Sequence, residues 1–175
     1  TQDCAGPLAT SLTSFRSYQR GEAWTWEHLA LSRARVVAGT GSLPAVVDSD
    51  IAEVMAMPRD KAKTIDDVMS MRALMAKERK QRHAFDLKLA NGGLVDLEFI
   101  AQSAQLVAGA QIDLPQAPPA RVLARLGEIG LVPKGQRLAE IHTIYATVLQ
   151  VMSSALVSPF KEEAWSPAFQ DLLAQ

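Results

Sequence analysis

Apolar positions recur at intervals of three and four along most of this chain, the pattern of helices that bury one face. It predicts a first helix from Ser11 or Thr13 to Arg20, with Leu12, Phe15 and Tyr18 in step and Gly21 ending it. A second helix is predicted over residues 22–37. There Trp24 and Leu31, widened by Trp26, Leu29 and Ala30, form an apolar side that places both tryptophans in the core. Residues 51–55 continue as a helix capped by Asp48 or Ser49. Thr64 with Asp67 resembles a capping box opening a helix over 64–83, whose buried stripe is Ile65, Val68, Met69 or Met71, Arg72 and Met75. Further helices follow over 94–108, 120–130 and 134–157, the second stopped by Gly130 and the third by Pro159, and Ser166-Pro167 opens a last short one over 168–173. Only residues 85–89 alternate with period two, Phe85, Leu87 and Leu89 against Asp86 and Lys88. The expected fold is all-α, a bundle of about seven helices with at most one short extended segment.

The stretch 85–102 carries the most chemistry. An extended piece, the Gly92-Gly93 turn and the start of a helix at Leu94 follow one another, with Leu97, Ile100, Ala104 and Val107 on its apolar side and Glu98, Gln102 and Gln105 on its polar side. A glycine turn feeding a helix N-terminus is an anion site within reach of Lys88. The plainer reading has Asp96 complementing the helix dipole and Lys88 solvated; Asp96 also repels a bare phosphate. Asp96 and Glu98 point to nearly opposite sides, so they are no acid/base pair. In the second helix Glu27, His28, Arg33 and Arg35 crowd an otherwise apolar element, and the two arginines diverge, leaving one for a salt bridge and one for a ligand. The basic run over 77–83 complements a helix C-terminus, or with Lys88 forms a basic rim for a nucleotide. Gly41-Ser42 followed by Asp48-Ser49-Asp50 imitates a metal-holding nucleotidyltransferase pattern, but the interval is too short and the aspartates lie on no strand.

Composition narrows this little. The 175 residues suit one domain, and 48% hydrophobic and 21% charged residues are ordinary for a globular chain. A net charge of -1 calls for neither nucleic acid nor an anionic membrane. No apolar run is long enough to span a bilayer and no signal segment opens the chain, so it is expected to be cytoplasmic. One Cys4 and three scattered histidines offer no zinc spacing, and no metal ligand is assigned. Residues 58–63 are a polar joint and the expected subdomain boundary.

Two stretches together are more specific. Residues 21–28, Gly-Glu-Ala-Trp-Thr-Trp-Glu-His, with 30–39, and some fifty residues later 85–88 with 92–102, resemble the bacterial glutamine synthetase adenylyltransferase/adenylyl-removing enzymes. The resemblance covers most of residues 6–108, and the Trp-Thr-Trp-Glu-His wording resembles the half that transfers AMP from ATP to a tyrosine of glutamine synthetase. The other half removes that AMP. The resemblance implies that residues 1–57 end a nucleotidyltransferase domain and 58–175 form a helical domain. It implies ATP and Mg²⁺ as cofactors, with the metal-holding carboxylates upstream of Gly6-Pro7-Leu8, so this stretch alone is expected to be inactive. By match, Lys88, Arg33, Arg35, Gly92 and Gly93 are the nucleotide-binding candidates, with Glu27, His28, Asp86, Asp96 and Glu98 in support. Asp96 and Glu27 are expected to hold the cations in place. Glutamine synthetase and a PII-type signal protein are the implied partners. A helical docking module without catalytic residues, and the adenylyl-removing half, are the alternatives.

Overall fold

The computed structural model describes residues 9–79, 86–112, 114 and 117–155. Among them run seven α-helices and no strand: α1 (Leu12–Gly21), α2 (Thr25–Leu31), α3 (Leu43–Ala56), α4 (Lys61–Glu78), α5 (Leu94–Ala108), α6 (Pro119–Glu128) and α7 (Gly135–Ala155), with a 3-10 turn at Gly109–Gln111. The all-α expectation therefore holds. No described helix is long and apolar enough to cross a membrane.

α5 lies between two sets of partners because it is apolar on more than one side. Its Leu97, Ala101 and Ala108 join Val122, Leu123 and Leu126 of α6 and Ala139 of α7 in the largest core cluster. From another side Leu106 meets Leu29 of α2 and Val68 of α4, with Met55, Met71 and Phe99 packed around them. Leu31, Ile51 and Val54 close α2 on α3, and Phe15 of α1 packs there. Chain from both sides of the 58–63 joint thus shares buried contacts, Leu29 and Met55 with Val68 and Leu106. α1 buries no residue fully and is tied to α3 by ion pairs, Arg16 Nε to Asp50 Oδ1 at 2.7 Å and Arg20 to Glu53 at 2.5 Å.

α6 and α7 approach most closely at two glycines. A Cβ on Gly135 would meet the carbonyl oxygen of Leu123 and stand 2.6 Å from Gly127 Cα, so the two backbones are in direct contact. α6 ends in a Schellman turn: Gly130 has φ +74, its N–H donates to Gly127 O, and Leu131 N–H donates to Leu126 O.

Several boundaries differ from the sequence expectation, each for a local reason. The helix expected over 22–37 stops at Leu31, because the Ser32 hydroxyl donates to Leu29 O at 2.7 Å and the next two N–H groups bond three residues back. The tryptophans are not core: Trp24 is 71% and Trp26 53% exposed, since the inward side of this short helix belongs to Leu29 and Leu31. α3 begins at Leu43-Pro44, so Asp48 and Ser49 lie within it and cap nothing. α4 begins at Lys61, where Asp60 accepts from Lys63 N–H at 3.0 Å; Thr64 is buried in its first turns. Ile65 and Met69, expected inside, are exposed. Gln105, expected on the polar side of α5, is buried, and its amide donates to Leu114 O. The helix over 168–173, Phe85, residues 80–83 of the basic run and the Pro159 stop lie outside the described residues.

Candidate functional site

The expected extended segment is, over residues 86–89, a turn. Asp86 is buried and its Oδ1 accepts from the N–H groups of Lys88 and Leu89, while its carbonyl accepts from Leu89 and Ala90. An aspartate that bonds backbone two and three residues on folds the chain over itself, and this overrides the alternation of Leu87 and Leu89.

The Gly92-Gly93 turn is closed by the chain's own groups. Gly92 N–H donates to Asp96 Oδ2 at 2.6 Å, Gly93 N–H to Ala90 O, Leu94 N–H to Leu87 O and Val95 N–H to Lys88 O. Gly92 has φ +75, and a Cβ on Gly93 would lie 2.7 and 2.8 Å from the carbonyl oxygens of Leu87 and Ala90. Gly92 and Gly93, expected to present free N–H groups to a phosphate, have those groups bonded within the chain, and at Gly93 there is no room for a side chain. The N–H groups of Gly92, Gly93, Leu94 and Val95 are thus engaged within the chain.

Asp96 is held from two directions. Besides Gly92 it accepts from Arg72 Nε of α4, a residue whose side chain is 17% exposed, so the cation paired with Asp96 is Arg72 and not the expected Lys88, Arg33 or Arg35. The signal was in the sequence: Arg72 is a charged residue in an otherwise apolar stripe, and such a residue needs a carboxylate nearby. Glu27 is likewise not a partner of the arginines. Its Oε2 accepts from Trp24 N–H at 2.8 Å and its Oε1 from the Tyr18 hydroxyl at 2.7 Å, so it caps α2 and ties it to α1. Of the two candidate arginines, Arg33 is held by Glu98, which accepts from it at 3.2 Å across 65 residues of sequence. Lys88 and Arg35 are exposed, and each is without an acidic partner among the described residues. Arg59, unremarked in the sequence, donates to the carbonyls of Val54, Met55 and Met57 and closes the C-terminus of α3.

Two histidines sit among these charges. His28 Nε2 contacts Gln19 O at 2.9 Å, and burial pushes its pKa below the ordinary 6.5; the Gln19 bond and Glu27 oppose this and Arg59 adds to it. His142 is buried with no partner for Nε2 among the described residues, and burial again lowers its pKa, with Glu98 opposing and Arg33 adding. A base whose folded pKa is depressed takes up its proton more readily unfolded, so the stability it supports is present above the ordinary 6.5 and falls as pH drops below it, levelling under the folded pKa. Denaturant midpoints are therefore expected to fall between neutral and mildly acid pH, with a shallower fall in His142→Gln. An equally steep fall in that variant counts against this role.

Between α4 and α5 lies an apolar cavity of about 560 Å³, lined by Ile65, Met69, Phe99 and Ile100 with Arg72 and Asp96 at its polar end. Neither it, nor the cavity beside α1, nor the one beneath Ser32, is lined by Lys88, Arg33 or Arg35. Among the described residues no three His, Cys, Asp or Glu side chains converge to hold a metal ion.

Residues 2–50 match the family model of glutamate-ammonia ligase adenylyltransferase, and residues 67–153 match that of GlnD PII-uridylyltransferase. The chain is 40% identical over 96% of its length to the bifunctional glutamine synthetase adenylyltransferase/adenylyl-removing enzyme of Mesorhizobium japonicum, and 40% identical over 98% to that of Xanthobacter autotrophicus. The chain belongs to this family. It is also 52% identical over 106 residues, 61% of the chain, to the Rhizobium meliloti member, 11% of that protein's length. It spans only 17% and 18% of the length of the first two relatives, so its kinship with the family is that of one portion. α2 lies within the first of the two stretches on which the resemblance rests and α5 begins within the second, and the Arg33–Glu98 pair joins the two stretches.

Proposed function

We propose that this chain is part of the adenylyltransferase half of such an enzyme, and that in the whole protein it forms a helical wall beside the site where AMP passes from ATP to a tyrosine of glutamine synthetase. What supports this is the likeness over nearly the entire chain to enzymes named for that activity, together with two exposed cations, Lys88 and Arg35, on the stretches that carry the resemblance. Arg33 is already neutralised by Glu98, so in this reading it braces the wall, while Lys88 and Arg35 reach the triphosphate. Mg²⁺, when bound, neutralises phosphate charge and orients the attacking hydroxyl. The described residues offer it no donor set, and we place its carboxylates elsewhere in the longer protein. The isolated chain is then inactive, and the enzyme is cytoplasmic.

The test is AMP transfer by the full-length enzyme with Lys88→Ala or Arg35→Ala. Loss of a cation that meets the transferring phosphates is expected to lower kcat about 100-fold, with melting temperature unchanged. Robust transfer by residues 1–175 alone contradicts the placement of the metal site. A second reading, that the helices serve as a docking module for a PII-type signal protein, is favoured by the match of residues 67–153 to a family named for PII. Normal turnover in both variants with an altered response to that regulator selects it over the first.

A further inference from the structure

The cavity between α4 and α5 exists because α4 places alanines there. Ala73 and Ala76, one turn apart, line it together with Phe99 and Ile100 of α5, and their short side chains leave space unfilled. Val68, which also lines it, is buried against Leu29 and Leu106, so the core forms its floor. Ile65 and Met69 are exposed and stand at its mouth. Its volume, about 560 Å³, is that of a site for a small organic molecule.

One polar side chain gives the cavity a direction. Arg72 lines it with a side chain only 17% exposed, and a guanidinium offers five N–H donors. Its Nε donates to Asp96, while the two Nη groups have no hydrogen-bond partner among the described residues. Unpaired donors at the end of an apolar space favour an oxygen acceptor. The charge, however, is already met. Asp96 neutralises the guanidinium, and Gly92 N–H holds the other carboxylate oxygen in place. An anionic head would approach that fixed carboxylate and be repelled; a carbonyl oxygen would not.

We propose that this cavity binds a neutral apolar molecule carrying a carbonyl oxygen, its body against Met69, Phe99 and Ile100 and its oxygen accepting from the Arg72 Nη groups. Lys88, Arg33 and Arg35 line no part of the cavity, so the site is separate from the AMP-transfer wall and does not rest on that reading.

The probe is prodan, a neutral dimethylaminonaphthyl ketone whose emission shifts to the blue on leaving water. Titrated with the full 175-residue chain, it is expected to bind one to one, and dimethylaminonaphthalene without the ketone about tenfold more weakly. Met69→Glu, at an exposed position, should weaken prodan about tenfold or more with melting temperature unchanged. Arg72→Lys keeps a cation beside Asp96 but loses the fork of donors, and should remove most of the preference for the ketone. No prodan binding, equal affinity for the two naphthalenes, unchanged binding by Met69→Glu, or tighter binding of a naphthalene sulfonate overturns the proposal. So does self-association of the chain that Met69→Glu abolishes, which makes the groove an interface between copies. Binding by the 175-residue chain but not by the full-length enzyme overturns it as well, because another part of that protein then covers the cavity.

Discussion

Gly135→Val is expected to be the most damaging single substitution in the described chain, lowering stability by about 3 kcal/mol or more, with a fall in melting temperature of about 6 to 12 °C. The Cβ alone would run into the Leu123 carbonyl and the Gly127 backbone, and neither can rotate away as a side chain would. Moving α7 off α6 to make room opens the cluster in which Leu123 and Leu126 are wholly buried. Gly127→Ala meets the same contact from the other helix, at 2.9 Å from Gly135 Cα, and should be milder because its Cβ approaches no atom so closely. Urea melts of the three proteins decide it. A change under about 1 kcal/mol for Gly135→Val means that the helices do not cross this tightly.

The next largest effect is expected at Gly93. An alanine there presses on the carbonyl oxygens of Leu87, Ala90 and Lys88, which accept the N–H groups that close the turn, and should cost about 2 to 3 kcal/mol. Gly92→Ala meets no neighbour and incurs only the strain of a positive φ, about 1 kcal/mol. The order of the two separates the readings of this turn. If it is a structural closure, Gly93→Ala loses stability in the isolated chain with no nucleotide present. If it is a phosphate cradle, the isolated chain tolerates the change and only ATP binding by the whole enzyme suffers.

What could be read from the residues follows from where the forces are local. α5, α6 and α7 were legible because their apolar periods are long and their ends carry ordinary signals, Gly130 above all. α1 was legible from Ser11, whose hydroxyl accepts from Ser14 N–H at 3.1 Å. α2 was not, because its length is decided by one hydroxyl, that of Ser32, competing for a helix carbonyl against an apolar pattern that continues to Val37. Pro44 was the overlooked start signal of α3: its ring lies against Gly39, where a Cβ would be 2.7 Å away. In the candidate site the pairings differ from the expectation. Glu98 and Asp96 both hold arginines, but which ones depends on how α2 and α4 lie against α5, and spacing along one helix contains no such information. Lys88 and Arg35 had no local partner in the sequence and have no acidic one among the described residues, which is why they remain the candidates for an external anion.

The outward side of α2 gives the molecule a built-in optical reporter. Two of its three indoles, Trp24 and Trp26, stand in water a single residue apart, held there by Thr25, whose hydroxyl donates to Asp67 of α4. Their emission is that of solvated rings, open to collisional quenchers, and any neighbouring domain or protein that settles over this helix will turn it blue and shield it, with no label attached.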